Sequence, residues 1–296
     1  MSGAGARGTG LGGLWLALAG ALILTPDAML MRLSGLETGA MLGWRGLCMG
    51  SVLVLFWGLS TGDRRGDLAA LRSAPGLGIA ACQFFNSLFF CLGIALAPVA
   101  AVLLGVAVVP VWAALLGWML LGERAGLRTW ATIAAVLLGI AIAMSGHGGD
   151  GISWDARAGL GIGLGLLVAL MLALNFVILR KHHHVPIPLA IGAGALVAGV
   201  GATTFYGGAM WAGTVWPMLM TGAVVLPASF MLLSQASRQV SAAVVSLLLL
   251  LETVLGPLWV WLAVGEAPGA RMLWGGALVV GALALFLLHR ARRARR

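Results

Sequence analysis

Stretches of about 20 almost wholly apolar residues recur along this chain, and few folds accept them. A helix rising about 1.5 Å per residue needs that length to cross a hydrocarbon layer of about 30 Å. Ten such stretches can be read, at 11–31, 39–59, 74–96, 99–121, 127–145, 158–179, 187–205, 214–234, 241–264 and 272–288, joined by short loops. Hydrophobic residues make up 61% of the 296 and charged residues 9%, against about 45–50% and about 25% in soluble domains. The spacing predicts an all-α integral membrane protein with ten transmembrane helices. Arg7 alone precedes the first stretch, and no small-residue cleavage site follows it. It therefore reads as a retained helix and not as a leader.

A formal net charge of +9 would suit nucleic acid on a soluble basic face, but the basic residues lie between apolar stretches, so nucleic acid is excluded. Their distribution reports topology instead. Alternate connections gather Arg7, Arg64, Arg65, Arg72, Arg124, Arg128, Arg180, Lys181, Arg238, Arg290, Arg292, Arg293, Arg295 and Arg296 on one side. Only Arg32, Arg157 and Arg271 fall on the other, and Arg45 lies inside the second stretch. Both termini are thus expected in the cytoplasm, with anionic lipid as a partner of the basic C-terminus. Cys48, Cys82 and Cys91 lie in apolar stretches without metal-ligand spacing, so neither disulfides nor zinc are expected.

Many of the 45 glycines lie inside the apolar stretches, as at Gly159, Gly161, Gly163 and Gly165 or Gly192, Gly194, Gly199 and Gly201. Small residues of this kind let membrane helices approach closely. A dinucleotide-binding reading fails, because no strand precedes the first cluster and no acidic residue follows at the required distance.

The chain also repeats itself. A shift of 143 residues sets Ala100 on Ala243, Val111 on Val254, Trp118 on Trp261, Gly122-Glu123 on Gly265-Glu266, and Arg128 on Arg271. A shift of 148 sets Asp27 on Asn175 and Arg32 on Arg180. Five helices per half is an odd number, so matched positions face opposite sides of the membrane. The expected organisation is two inverted five-helix repeats, residues 1–146 and 147–296, around a central cavity.

Three motifs carry a family resemblance: Pro110 to Gly122-Glu123, its echo Leu251-Glu252-Thr253 to Gly265-Glu266, and Ala173-Leu174-Asn175-Phe176-Val177. Over essentially the whole chain the sequence resembles the drug/metabolite transporter superfamily, in its ten-helix EamA-type branch. Within it, general similarity is to the YddG-type exporters of aromatic amino acids. Asp27 departs from the Asn-like residue that Asn175 leads one to expect there. The resemblance implies a bacterial inner-membrane exporter of amino acids or related metabolites that works by alternating access.

Polar groups within hydrocarbon are costly unless paired, which makes them the functional candidates. Gln83, Asn86, Ser87 and Phe90 follow i, i+3, i+4, i+7 spacing and share one helical face. That face is either a substrate wall or an interhelical polar clasp. Glu252, followed by Thr253, Gly256 and Pro257, stands near the midplane as a proton carrier, an ammonium ligand or a structural carboxyl. Asp27 and Arg45 sit at matched depth on adjacent helices and form an expected structural or outer-gate ion pair, with a substrate carboxylate on Arg45 as the lesser reading. Asn175 with Phe176 mirrors Asp27 near the inner end and reads as a substrate or inner-gate contact or as packing. Pro26, Pro110, Pro227 and Pro257 interrupt helices, with Pro110 and Pro257 as gating candidates. Glu123 and Glu266 read as capping or interfacial residues beside Arg124 and Arg271, and His182, His183 and His184 as a solvated loop. Trp15, Trp57, Trp211 and Trp216 read as interfacial anchors.

No nucleophile with its base, metal cluster or cofactor motif is legible, so neither enzyme chemistry nor a cofactor is expected. The leading expectation is export of small metabolites, aromatic or apolar amino acids first. The alternatives are efflux of cationic or other drugs, a sugar-phosphate carrier, which would need more intramembrane cations than Arg45, or a scaffold that transports nothing. Ten helices suffice to enclose a cavity in a monomer.

Overall fold

The structure, a computed structural model, describes residues 6–97, 99–144, 156–264 and 270–295. Among the described residues all regular structure is helical. In order the helices are α1 (Ala6–Leu24), α2 (Asp27–Ser34), α3 (Thr38–Ser60), α4 (Arg64–Arg72), α5 (Ala74–Leu96), α6 (Val99–Val106), α7 (Val109–Leu121) and α8 (Leu127–Met144). The chain continues with α9 (Ala156–Lys181), α10 (Ile187–Tyr206), α11 (Trp216–Met220), α12 (Leu226–Gln239), α13 (Ala242–Leu249), α14 (Leu251–Val264) and α15 (Ala270–Arg295).

Among the described residues, eight stretches are long and apolar enough to cross a membrane: Gly12–Met31, Thr38–Ser60, Ala74–Gly93, Ala101–Leu121, Ala156–Lys181, Ile187–Tyr206, Trp216–Gln239 and Ala242–Ala263. Two shorter apolar helices, Leu127–Ile142 and Leu273–His289, occupy the fifth and tenth expected positions.

Four of the ten spans read from the sequence are interrupted, each with a local reason or a tertiary one. The first parts at Thr25-Pro26, where Pro26 has no N–H to continue the ladder. The Thr25 hydroxyl donates to the Leu22 carbonyl at 2.8 Å and closes the turn. The fourth parts at Ala107-Val108, and Pro110 falls in the first turn of α7, where a missing N–H costs nothing. The eighth opens into a π turn over Thr221–Val225, just ahead of Pro227, which deprives the Ala223 carbonyl of its helical donor. The ninth parts at Leu250. Pro257 does not interrupt it there: α14 runs unbroken through Pro257, which leaves the Thr253 carbonyl without its i+4 donor. The Pro257 side chain and Glu266 lie outside the described residues, as does the Arg271 side chain.

Residues 1–146 and 147–296 interlock and do not form separate bundles. The α3 helix lies along α10, α5 along α9, α1 along α12, α8 along α15, and α7 along both α9 and α13. Lipid offers apolar groups no drive to leave it, so close packing has to hold such pairs. Glycine supplies that closeness. A Cβ on Gly46 would stand 2.6 Å from the Gly199 Cα, and one on Gly50 would stand 2.8 Å from the Gly192 carbonyl. Between α6 and α9, a Cβ on Gly105 would stand 2.8 Å from the Gly165 Cα. Of the glycines singled out in the sequence, Gly161, Gly165, Gly192, Gly194 and Gly199 meet a neighbour, whereas Gly159, Gly163 and Gly201 face open space.

Gly46→Leu is therefore expected to force α3 from α10 and destabilise the protein by about 1–3 kcal/mol. Gly58→Leu, on the same helix with nothing within 4 Å, should leave the thermal midpoint of detergent-solubilised protein unchanged.

At the basic end, α4 is an amphipathic helix with no buried residue. The Asp63 carboxylate caps it by accepting from the Gly66 N–H at 3.0 Å. The Trp57 indole N–H donates to Asp67 at 2.7 Å and pins the helix to the end of α3. Trp15, Trp211 and Trp216 are exposed, as anchors at the hydrocarbon edge are.

Candidate functional site

A central cavity of about 90 Å³ lies where the helix interruptions converge. Asp27 reaches it from the first turn of α2, next to the Thr25-Pro26 break. Arg45 reaches it from α3, and its Nη1 donates to Asp27 Oδ1 at 2.9 Å and Oδ2 at 2.8 Å. Asp27 is 2% exposed. A carboxylate so deep needs a counter-charge, and the guanidinium supplies it. The Phe90 ring lies under the same guanidinium, 5.9 Å from Cζ to ring centroid, a cation–π contact that holds Arg45 from its other face.

The α5 face presents Gln83, Asn86, Ser87 and Phe90 to this cavity together. Gln83 donates from Nε2 to the Ser87 hydroxyl at 3.3 Å. Its Oε1 is buried without a hydrogen-bond partner, an acceptor that a buried site leaves unfilled only at a cost.

Glu252 and Thr253 line the cavity from the first turn of α14, directly after the Leu250 break. Free N–H groups at a helix start favour a carboxylate, which gives a physical reason for an acid at that point. Glu252 interacts electrostatically with Asp27 and with Arg45. The site thus holds two carboxyl groups around one guanidinium.

Its other walls are apolar: Leu172 and Phe176 of α9, Phe230 and Leu233 of α12, and Leu249 of α13. Asn175 is 1% exposed, is absent from the lining and leaves its Oδ1 without a partner. Pro110 is buried at the start of α7 and lines no part of the cavity. The lining draws on the third, fourth, sixth and ninth spans, and on the first, second, seventh and eighth as well, through Asp27, Arg45, Ala195 and Phe230. Phe230 was missed because one apolar residue on an apolar helix carries no signal of the direction it faces.

The volume defines the state. It holds a handful of waters at about 10–15 Å³ each and falls well short of the roughly 300–1,000 Å³ of pockets that hold drug-sized ligands. The site is assembled but contracted.

A second cavity, of about 660 Å³, opens at the end of the bundle that carries Glu123, Arg124, Arg180 and Gln239. Gly122, at φ +70°, ends α7 in the left-handed region that glycine adopts freely. That turn presents Glu123, which pairs not with Arg124 but with Arg180 of α9: Nε and Nη2 each lie 2.6 Å from Oε1. Arg180 Nη1 donates to the Val240 carbonyl at 2.9 Å and the Ser237 carbonyl at 3.3 Å. One side chain so ties α7, α9 and the α12–α13 junction. In the sequence Arg180 counts only as a topology charge; its match to Arg32 across the repeat is the signal that sets it apart.

The histidine loop holds no comparable site. The His182 and His184 rings meet edge to face at 5.7 Å. Burial, then the charges of His184 and Lys181, holds His182 below the ordinary imidazole range. Among the described residues no cluster of His, Cys, Asp or Glu is placed to hold a metal.

Residues 11–145 match the EamA-like transporter family. This half of the chain is an EamA-like domain. Such a domain and the long apolar helices make the chain a multi-pass membrane protein, and the family is one of transporters. The EamA-like match includes Asp27, Arg45, the α5 face of Gln83, Asn86, Ser87 and Phe90, and Glu123, but not Arg180 or Glu252. One solved crystal structure superimposes with a TM-score of 0.75 over 95% of this chain and 97% of its own, at 19% sequence identity. That likeness is one of fold, and it extends beyond the EamA-like domain to the rest of the chain. No curated protein matches the sequence significantly.

Proposed function

We propose that this protein is a ten-helix secondary transporter, built from inverted halves at 1–146 and 147–296, that exports small zwitterions with apolar or aromatic bodies. Amino acids are the first such cargo. The carrying observation is the composition of the central cavity. Arg45 offers donors to a carboxylate, Glu252 and the unfilled Gln83 Oε1 accept from an ammonium, and Phe90, Phe176 and Phe230 surround an apolar body.

Support for the inverted halves comes from the interruptions: Ala107 and Leu250, where the fourth and ninth spans part, are themselves 143 residues apart. The helix pairing agrees. The third span lies on the sixth as the first lies on the eighth, and second with seventh, fourth with ninth and fifth with tenth are self-matched pairs. The concentration of Arg and Lys at one set of connections supports cytoplasmic termini in a bacterial inner membrane. Arg290, Arg292, Arg293 and Arg295 continue α15 as a basic helical turn suited to anionic lipid. One chain encloses the cavity, so a monomer suffices.

Two carboxyl groups against one guanidinium favour a second reading, efflux of organic cations. Proteoliposomes separate the two. Uptake of labelled phenylalanine above protein-free liposomes supports the first reading, and uptake of a quaternary-ammonium dye alone supports the second. Neither, across a panel of amino acids and cations, removes both. Asn86→Ala should lower phenylalanine flux about fivefold, the value of one neutral hydrogen bond of about 1 kcal/mol.

A further inference from the structure

The vestibule around Arg180 carries more chemistry than a topology charge requires. Both Arg180 contacts to Glu123 converge on the single oxygen Oε1, short of the two-oxygen fork in which a guanidinium holds a carboxylate best. The pair is also wet, with side chains 20% and 33% exposed, and such pairs are weak and exchangeable. Arg124 lines the same chamber, so Glu123, Arg124 and Arg180 together carry a net positive charge. The chamber of about 660 Å³ is of a size that accepts a small organic acid. Its inner wall is made of small residues, among them Ala113 and Ala114 of α7 and Ala242 and Ala243 of α13. Leu249, at the opposite end of α13 from Ala242 and Ala243, lines the central cavity.

The geometry points to the vestibule as a docking site for a small-molecule carboxylate, with Arg180 as the residue that takes it and Glu123 as an internal stand-in that the incoming group displaces. Arg180 also holds the Ser237 and Val240 carbonyls. A guanidinium turned toward a cargo carboxylate therefore lets go of the α12–α13 junction, and docking loosens the seam between vestibule and cavity. This deepens the proposed export function and rests on the cytoplasmic orientation of that end.

The test uses the full chain in phosphatidylcholine nanodiscs, free of anionic lipid, with Cys48, Cys82 and Cys91 changed to Ala and Ala242→Cys as reporter. Ala242 is 2% exposed, so a membrane-impermeant maleimide should label it slowly. Benzoate and L-phenylalanine should each raise the labelling rate about fivefold or more, a modest allosteric coupling, and L-phenylalaninamide should not. Glu123→Gln should raise the rate without ligand, and Arg180→Lys, which keeps the charge but not the fork, should abolish the response to benzoate. Should Arg180→Lys fail to fold, Glu123→Gln with and without benzoate still decides. A rate indifferent to benzoate in the parent protein, an equal response to the amide, or a response that survives Arg180→Lys overturns the proposal. Replacing part of the lipid with phosphatidylglycerol should not reproduce the benzoate effect; if it does, the ligand is a headgroup and the proposal falls. Labelling needs no transport, so a negative flux assay beside a positive labelling result removes the exporter reading and leaves the docking site standing.

Discussion

Arg45→Met is expected to destabilise the protein by about 3–5 kcal/mol, because it strands Asp27 in a buried site without a counter-charge. Asp27 is 2% exposed, and both its oxygens accept from Arg45 Nη1. Asp27→Asn should cost less, because Glu252 still faces the guanidinium. The double variant, Asp27→Asn with Arg45→Met, should recover much of the loss, since neither member of the pair is then left without the other and Glu252 is the one acid that remains in the site. Thermal unfolding of the three variants measures this. Single variants within about 1 kcal/mol of the parent would mean that cavity water already screens the pair, and that Arg45 is held chiefly by Phe90.

Glu252→Gln should act on transport and hardly on stability. Gln keeps the volume and polarity of the side chain at the start of α14 but removes the acid. A hydrogen bond to a charged partner contributes about 1.5–3 kcal/mol, so flux of a zwitterion whose ammonium engages Glu252 should fall by about 10- to 100-fold. Indole, with the aromatic body of tryptophan but no ammonium, should be far less affected. Equal loss for phenylalanine and indole would assign Glu252 to packing or to gate movement and not to recognition.

The helical plan was legible in the sequence because hydrocarbon imposes one rule on every span: enough apolar residues in a row. The α5 wall was legible for a similar reason, since Gln83, Asn86 and Ser87 stand out against an apolar background at helical spacing. Depth alone brought Asp27 and Arg45 to attention. Other features lie beyond such reasoning. The fourth span parts ahead of Pro110 and the ninth without a proline at the break, so packing between helices decides where these ladders open. Proline misdirects here: α14 passes through Pro257 unbroken. Glu123 and Arg180 stand 57 residues apart, each beside other charges that explain it adequately as a loop residue. Their meeting is a tertiary fact. Leu172, Phe230 and Leu233 line the cavity with side chains indistinguishable in the sequence from those that face lipid.

The glycine seam between α3 and α10 bears on how the two halves move. Where Gly46 rests on Gly199 and Gly50 faces Gly192, backbone slides on backbone. Interdigitated side chains act as teeth, and rolling one helix past another means disengaging each tooth through an unfavourable rotamer. A surface without teeth behaves as a plain bearing. It tolerates small rotations with little change in contact energy, provided the gap stays closed. An α13 buried along its whole length on one side of the cavity and a smooth bearing on the other give the bundle a toothed jaw and a sliding one. A substitution that roughens the bearing without wedging it open, such as Gly192→Ala, whose Cβ would meet the Leu53 and Val54 side chains at 3.0 Å, should slow interconversion more than it alters which state is favoured.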